Sequence, residues 1–135
     1  MAPQRPPVSD AEREVLRVLW EHGPLAVREL AEKLAAAKND WQRTTILTLL
    51  SRLEKKGYVA SDRGAQAYVY RAVVSRDDLV HQRMQELANE LCDGRPAPLF
   101  LAFAERQKFS AAEVAELQRL VEELTARQGR KRRNP

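Results

Sequence analysis

The segment from residue 42 to residue 56 carries two kinds of side chain at helical spacing, and this most constrains the fold. Its apolar positions repeat at i, i+3, i+4 and i+7 and predict a face that packs on a core: Ile46, Leu49, Leu50 and Leu53. Its polar positions follow the opposite face: Thr45, Thr48, Arg52 and Lys55 or Lys56. Gly57 ends the helix in the usual C′ position. The chain must therefore bury one side of this helix and leave the other side free.

Two further helices are predicted before this segment. Ser9 and Glu12 match a capping box at the start of the first, and Gly23-Pro24 ends it. After a short extended link at Leu25-Ala26, a second amphipathic helix of about ten residues is indicated by the spacing of Val27, Leu30, Ala31 and Leu34. Asn39-Asp40 supplies the break and a predicted N-cap for the third helix.

A β-hairpin is predicted directly after Gly57. Residues 58–61 and 67–72 are rich in aromatic and β-branched side chains, and they flank a glycine-containing loop at 62–66, with Arg63 at or near its tip. Three helices followed by a hairpin give the order of a winged helix-turn-helix. In that fold the second helix braces the third, which can enter a DNA major groove about 12 Å wide.

Charge is concentrated where this fold would meet DNA. The chain has 23 basic and 19 acidic residues, a net charge of +4. Residues 41–71 hold 6 basic and 2 acidic side chains, whereas residues 72–126 hold 6 and 10. We predict that the third helix and the hairpin bind DNA through Arg43, Thr44, Thr45, Thr48, Arg52, Lys55, Lys56 and Arg63. The alternative is an ordinary solvated helix face.

The second half is predicted to be helical. A long helix starts at Ser75 and is broken at residues 93–96, residues 99–104 form a small, heavily buried helix, and Ser110 and Glu113 open a last helix with a coiled-coil spacing. The apolar content of this second half is large for about 50 residues, and pairing with a second copy of the chain would cover it, which favours a homodimer. The predicted dimerisation residues are Leu87, Leu91, Leu99, Phe100, Phe103, Val114, Leu117, Leu120, Val121 and Leu124. The alternative is that these helices fold back on the N-terminal core.

The fold class is accordingly mainly α with a small β-hairpin. We assign residues 1–74 to a winged helix-turn-helix DNA-binding domain, residues 75–126 to a helical dimerisation domain and residues 127–135 to a basic disordered tail. The single Cys92 and the absence of a signal peptide or an apolar run of about 18 residues favour a cytoplasmic protein without membrane insertion. No motif indicates an enzyme, a cofactor or a metal site.

Residues 41–59 (WQRTTILTLLSRLEKKGYV) resemble the recognition-helix signature of the penicillinase-repressor family, also called BlaI/MecI. The resemblance extends to residues 9–20, 99–105 and 109–117 and spans roughly residues 8 to 125. It implies a homodimeric winged-helix repressor that binds a palindromic TACA/TGTA-type operator and controls a nearby gene, often a β-lactamase gene together with its membrane sensor protease.

The chain departs from the family at the site of induction. Induction in the best-known members involves cleavage of an Asn-Phe bond, and the matching pair here is Ala102 and Phe103, so this bond is the candidate cleavage site although the asparagine is missing. A membrane-bound sensor metalloprotease is the partner that this implies. Two other hypotheses remain open: a winged-helix regulator released by a small molecule, and a winged-helix module that binds protein.

Overall fold

Helices dominate the computed structural model, which describes residues 5–64 and 66–133. The elements in chain order are α1 (Asp10–His22), β1 (Leu25–Ala26), α2 (Val27–Ala36), α3 (Arg43–Lys56), β2 (Val59–Arg63), β3 (Tyr68–Ala72), α4 (Arg76–Leu91), α5 (Pro96–Ala104) and α6 (Ala111–Arg133). They divide into two compact units, one reaching Leu87 and the other beginning at Ala88. The predicted domain boundary after residue 74 stays a prediction.

Side-chain caps start α1 and α4 at the predicted places. Glu12 N donates to Ser9 Oγ (3.2 Å) and Ser9 N donates to Glu12 Oε1 (2.8 Å), which confirms the capping box of α1. The same exchange joins Ser75 and Asp78 at the start of α4. Gly23, with a positive φ of 80° and an extended ψ of −166°, a combination that favours glycine, ends α1 as predicted.

The first unit has its core between α1, α2 and α3. Its most deeply buried side chains include Leu16 of α1, Leu30 of α2, and Ile46 and Leu50 of α3. Trp20 packs against this core and donates from Nε1 to the backbone oxygen of Val74 (2.8 Å). The two-faced pattern of α3 is confirmed, because Ile46, Leu49, Leu50 and Leu53 are all buried.

A three-stranded antiparallel sheet in the order β1-β3-β2 completes the winged helix. Leu25 pairs with Tyr70 across β1 and β3, and Arg63 pairs with Tyr68 at the far end of the β2-β3 hairpin. Gly64 closes the turn by donating from its backbone N to Ala67 O (2.9 Å). A Cβ on residue 64 would lie 2.7 Å from that oxygen, so only glycine fits without a shift. The predicted fold class is confirmed.

The N-cap prediction for α3 is wrong. The helix is preceded by Gln42, whose side chain makes no capping hydrogen bond, rather than by Asn39-Asp40. The physical reason is that Asn39 is used to close α2: Lys38 adopts a left-handed φ of 68° and Asn39 N donates to Leu34 O (2.8 Å).

Two predictions for the second unit are corrected. None of the residues of α5 is buried, and Phe100 and Phe103 are each 57% exposed. A nine-residue helix that is apolar on all sides can cover only part of its surface within one chain. The predicted disordered tail is also wrong for residues 127–133, which continue α6 to Arg133. Arginine, lysine and glutamine favour helix, and cations are favourable near a helix C-terminus. Residues 134–135 lie outside the described residues.

Candidate nucleic-acid interface

The polar face of α3 is presented to solvent. Six of the predicted DNA-binding residues are exposed along it: Arg43, Thr44, Thr45, Thr48, Arg52 and Lys55. The structure brings four of them together around a shallow depression of about 310 Å³, lined by Thr44, Thr45, Thr48, Arg52 and the edge of Leu49. Hydroxyls, methyl groups and a guanidinium thus share one surface. These are the chemical groups with which proteins contact base edges and phosphates.

The hydroxyl of Thr48 already has a partner. Its Oγ1 donates to the backbone oxygen of Thr44 one turn earlier (2.9 Å). A hydroxyl has only one proton to donate, so in this rotamer Thr48 cannot also donate to a phosphate. The methyl group is therefore the part of Thr48 that is suited to an apolar contact, such as the methyl group of thymine.

Arg43 lies at the other end of the face, beside the hairpin. A depression of about 400 Å³ is lined by Arg43, Arg28 at the start of α2, and Tyr68 on β3, among other residues. Arg28 and Tyr68 are exposed and were missed by the sequence analysis. Arg28 could have been predicted from its place at the N-terminus of α2, because free backbone N–H groups and a cation can both bind a phosphate there.

Polar contacts fix the hairpin against the end of α3. The carboxylate of Glu54 on α3 accepts from the backbone N (3.1 Å) and the hydroxyl (2.7 Å) of Ser61 on β2. Asp62 is paired with Arg71 across the hairpin (2.8 Å). Both acidic residues of the basic segment are thus engaged within it, and Arg63 is exposed at the end of β2. Burial, together with the nearby Glu54, raises the pKa of Tyr70 on β3.

Lys56 is placed apart from the other predicted DNA-binding residues. Its Nζ lies 2.6 Å from Oε1 of the buried Glu12 and 2.9 Å from the backbone oxygen of Pro7. Burial would raise the pKa of Glu12, but hydrogen bonds from Lys56 and Ser9 outweigh burial and hold that pKa below its usual value. Lys56 therefore anchors α3 to α1, and we assign it a structural role.

The segment before α1 is tied to the same end of α3. Arg5 Nε donates to Gly57 O (3.1 Å), and the hydroxyl of Tyr58 donates to Pro6 O (2.6 Å). These contacts engage the backbone oxygen of Gly57 and the side chain of Tyr58, directly after the helix. They hold the C-terminal end of α3 in place, while its outer face from Arg43 to Lys55 stays exposed.

The second unit presents apolar side chains. Nine of the ten predicted dimerisation residues are exposed and Leu99 is half-buried; the exposed ones are Leu87 at the end of the first unit, and Leu91, Phe100, Phe103, Val114, Leu117, Leu120, Val121 and Leu124. Ala102 and Phe103, the candidate cleavage pair, are exposed in the second half of α5.

Hydrogen bonds with Ser110 hold the pKa of Glu113, at the start of α6, below its usual value, and burial opposes this only slightly.

Within residues 5–64 and 66–133, no three side chains of histidine, cysteine, aspartate or glutamate are grouped so that they could hold a metal ion. In the same residues, no helix has both the length and the apolar character needed to cross a membrane.

Comparison with known proteins gives consistent matches. A family model described as "Penicillinase repressor" matches residues 8–123. The penicillinase repressor of Bacillus licheniformis is 30% identical over 118 residues, covering 87% of this chain and 91% of that protein. The transcriptional regulator BlaI of Mycobacterium tuberculosis is 36% identical over 124 residues, covering 90% and 88%. The solution structure of the DNA-binding domain of the repressor BlaI is 33% identical, with a TM-score of 0.49, and covers 58% of this chain and 93% of that one.

Proposed function

The chain belongs to the penicillinase repressor family, whose members are transcriptional regulators and not enzymes, and we propose that it represses transcription by binding a palindromic operator of the TACA/TGTA type. The outer face of α3, with Arg43, Thr45, Thr48 and Arg52, reads bases in the major groove. Lys55 on α3 and Arg63 on the hairpin neutralise phosphates and supply most of the affinity.

One observation carries this proposal: the exposed polar face of α3 and the hairpin arginine belong to a single, internally fixed unit. The Glu54–Ser61 contacts fix the hairpin relative to α3, so both can meet one duplex without reordering. Because Glu54 and Asp62 are engaged with Ser61 and Arg71, the positive charge of Arg43, Arg52 and Arg63 is not paired with these acids. A duplex, with regularly spaced phosphates on either side of the major groove, fits such a surface.

Selection from a random pool of duplexes tests the operator directly. We expect enrichment of a dyad with TACA and TGTA half-sites, whose centres are one helical turn of about 10 base pairs or a multiple of it apart. The variant Arg43→Ala/Arg52→Ala should enrich no sequence, while Arg95→Ala/Arg106→Ala, which removes two exposed arginines of the second unit, should enrich the same dyad. Enrichment of unrelated sequences by the unaltered chain would contradict the proposal.

We propose that the chain dimerises through the apolar surface of the second unit. The exposed side chains of Val114, Leu117, Val121 and Leu124 repeat along α6 at spacings of 3, 4 and 3, which is the seam of a short coiled coil. A twofold pair would cover this seam and present two α3 helices to a palindrome. Sedimentation of the unaltered chain should show a dimer at micromolar concentration, and a monomer alone would contradict this step.

The controlled gene and the inducing signal are assigned by family. We infer that the operator lies before a β-lactamase gene or a sensor-protease gene, and that a membrane-bound sensor metalloprotease is the inducing partner. Ala102 and Phe103 are exposed, so the candidate bond is accessible in one chain. Co-expression with a membrane-bound sensor metalloprotease in the presence of a β-lactam should give a fragment ending at Ala102. An intact chain with a derepressed gene would contradict cleavage at this bond.

A second candidate for the inducing signal is a small molecule, favoured by a groove between α1 and α4 in the first unit. The groove, of about 550 Å³, is lined by apolar side chains that include Trp20 and Met84, by Glu14 and by four arginines. The arginines are Arg13, Arg17, Arg76 and Arg83. Its volume is within the usual range for ligand sites. A screen of aromatic carboxylates by thermal shift, repeated on Arg76→Gln, tests this candidate; no shift with any of them would remove it.

A further inference from the structure

Helix α6 continues well beyond its apolar seam. Leu124 is the last large apolar residue of the helix, and the helix runs on to Arg133. Residues 127–133 hold five basic side chains and no acidic one. The family model ends at residue 123, so this extension lies outside the part of the chain that the family accounts for. Neither the seam nor the operator-reading face uses it.

The charges of the extension share a helix face. Arg127, Arg130 and Lys131 stand at i, i+3 and i+4, a spacing that brings side chains together on one side of a helix. All three are exposed, and Arg127 is 62% exposed with its nearest acid, Glu123, 3.9 Å away. At that distance and exposure the ion pair offsets little of the charge. The helix dipole does not account for Arg127, because the dipole acts within the last turn.

We propose that residues 127–131 of α6 form a second, sequence-independent DNA-binding surface, which contacts phosphates outside the operator. This inference rests on the proposed function for its choice of ligand. A row of cations on a helix face without large apolar side chains is complementary to the phosphodiester backbone, which carries negative charges at close, regular spacing. A membrane surface would also require apolar side chains on the opposite face of the helix, and residues 125–131 carry none larger than alanine.

The test measures how affinity depends on salt. Three proteins are compared: the unaltered chain, Arg127→Gln/Arg130→Gln/Lys131→Gln, and the matched control Arg95→Gln/Arg106→Gln/Lys108→Gln. The control removes the same residue types from exposed positions elsewhere in the second unit. Each is titrated with the bare operator duplex, with the operator in a longer duplex, and with a long duplex of scrambled sequence.

We expect Arg127→Gln/Arg130→Gln/Lys131→Gln, called the tail variant below, to bind the bare operator as tightly as the unaltered chain does. On both long duplexes its plot of log affinity against log salt should be shallower, by about 0.9 for each side chain that meets a phosphate. The control should keep the slope of the unaltered chain. Equal slopes for the unaltered chain and the tail variant on the long duplexes would overturn the inference, and so would equal losses in the tail variant and the control.

The scrambled duplex separates this inference from the proposed function. If the unaltered chain shows no preference for the operator, the proposed function fails, while a shallower slope of the tail variant on scrambled DNA still supports the second surface. Vesicles containing phosphatidylglycerol test the alternative that the extension binds a membrane. Binding to vesicles that is lost in the tail variant, with unchanged slopes on DNA, would assign the extension to membranes and overturn the inference.

Discussion

Lys56 Nζ at the end of α3 lies 2.6 Å from Glu12 Oε1 in the first turn of α1. The two residues are 44 positions apart, and the side chain of Glu12 is only 1% exposed. A charged carboxylate at such a site requires a cation and hydrogen-bond donors, and Lys56 and Ser9 provide them at Oε1. The pair therefore sets where the C-terminal end of α3 sits on the core.

Removing Lys56 should destabilise the protein. Lys56→Met leaves the carboxylate of Glu12 buried without its cation, and we expect the free energy of unfolding to fall by about 2–3 kcal/mol. This expected loss is smaller than the ~3–5 kcal/mol that breaking a fully buried ion pair costs, because Lys56 keeps contact with solvent. Lys55→Met, one residue earlier and exposed, should change it by less than about 0.5 kcal/mol. Urea unfolding of both variants measures the difference, and equal losses would contradict the structural role of Lys56.

Stability should depend on pH through Glu12. The pKa of Glu12 is lower in the folded chain than its ordinary value of 4.5, so the unfolded chain takes up the proton more readily. The stabilising effect of the carboxylate is fully present above about pH 4.5 and is lost as the pH falls through the lower, folded value. The difference in unfolding free energy between the unaltered chain and Glu12→Gln should be constant from pH 5 to 7 and shrink at more acidic pH. A difference that stays constant down to pH 3 is the opposite result.

Thr48 should act through its methyl group. Because its hydroxyl donates to Thr44 O, Thr48→Val keeps the methyl at the surface and should bind the operator nearly as well as the unaltered chain. Thr48→Ser keeps the hydroxyl and removes the methyl, which should weaken operator binding by about 0.8 kcal/mol if one methyl group is buried against thymine. Fluorescence anisotropy with both variants decides between the two groups; the reverse order of affinities would show that the hydroxyl contacts DNA.

Arg52 and Lys55 should have different effects on specificity. Arg52→Ala should cost about 1–3 kcal/mol on the operator and much less on scrambled DNA, because an arginine that reads a base is lost. Lys55→Ala should weaken both duplexes by a similar amount and reduce the salt slope by about 1. Titration of each variant with both duplexes measures these effects. Equal weakening on both duplexes by Arg52→Ala would assign Arg52 to the DNA backbone.

A charge placed in the seam of α6 should separate the dimer. Leu117 is in the apolar seam and Gln118 is its exposed neighbour. Leu117→Glu should give monomers at concentrations where Gln118→Glu stays dimeric, since only the first places a carboxylate inside the covered surface. Analytical ultracentrifugation of the pair provides the measurement, and identical sedimentation of the two variants would exclude this seam as the interface.

Periodicity predicted the parts of the molecule that are governed by local spacing. The buried face of α3, the capping box at Ser9 and the order of helices and hairpin follow from residues within a few positions of one another. Lys56 was grouped with the DNA-binding residues because spacing alone cannot separate it from Lys55. Its role depends on Glu12, which only the folded chain brings near. The exposure of Phe100 and Phe103 was missed for a related reason, since an apolar helix does not indicate which chain covers it.

Binding of a TACA/TGTA dyad and of a scrambled duplex, measured by fluorescence anisotropy across a range of salt, tests most directly whether α3 reads an operator. We predict tighter binding to the dyad at every salt concentration, and for both duplexes a fall in log affinity of about 0.9 per neutralised phosphate with each unit of log salt. Equal affinity for the two duplexes, or an affinity independent of salt, would contradict sequence-specific DNA binding by this chain.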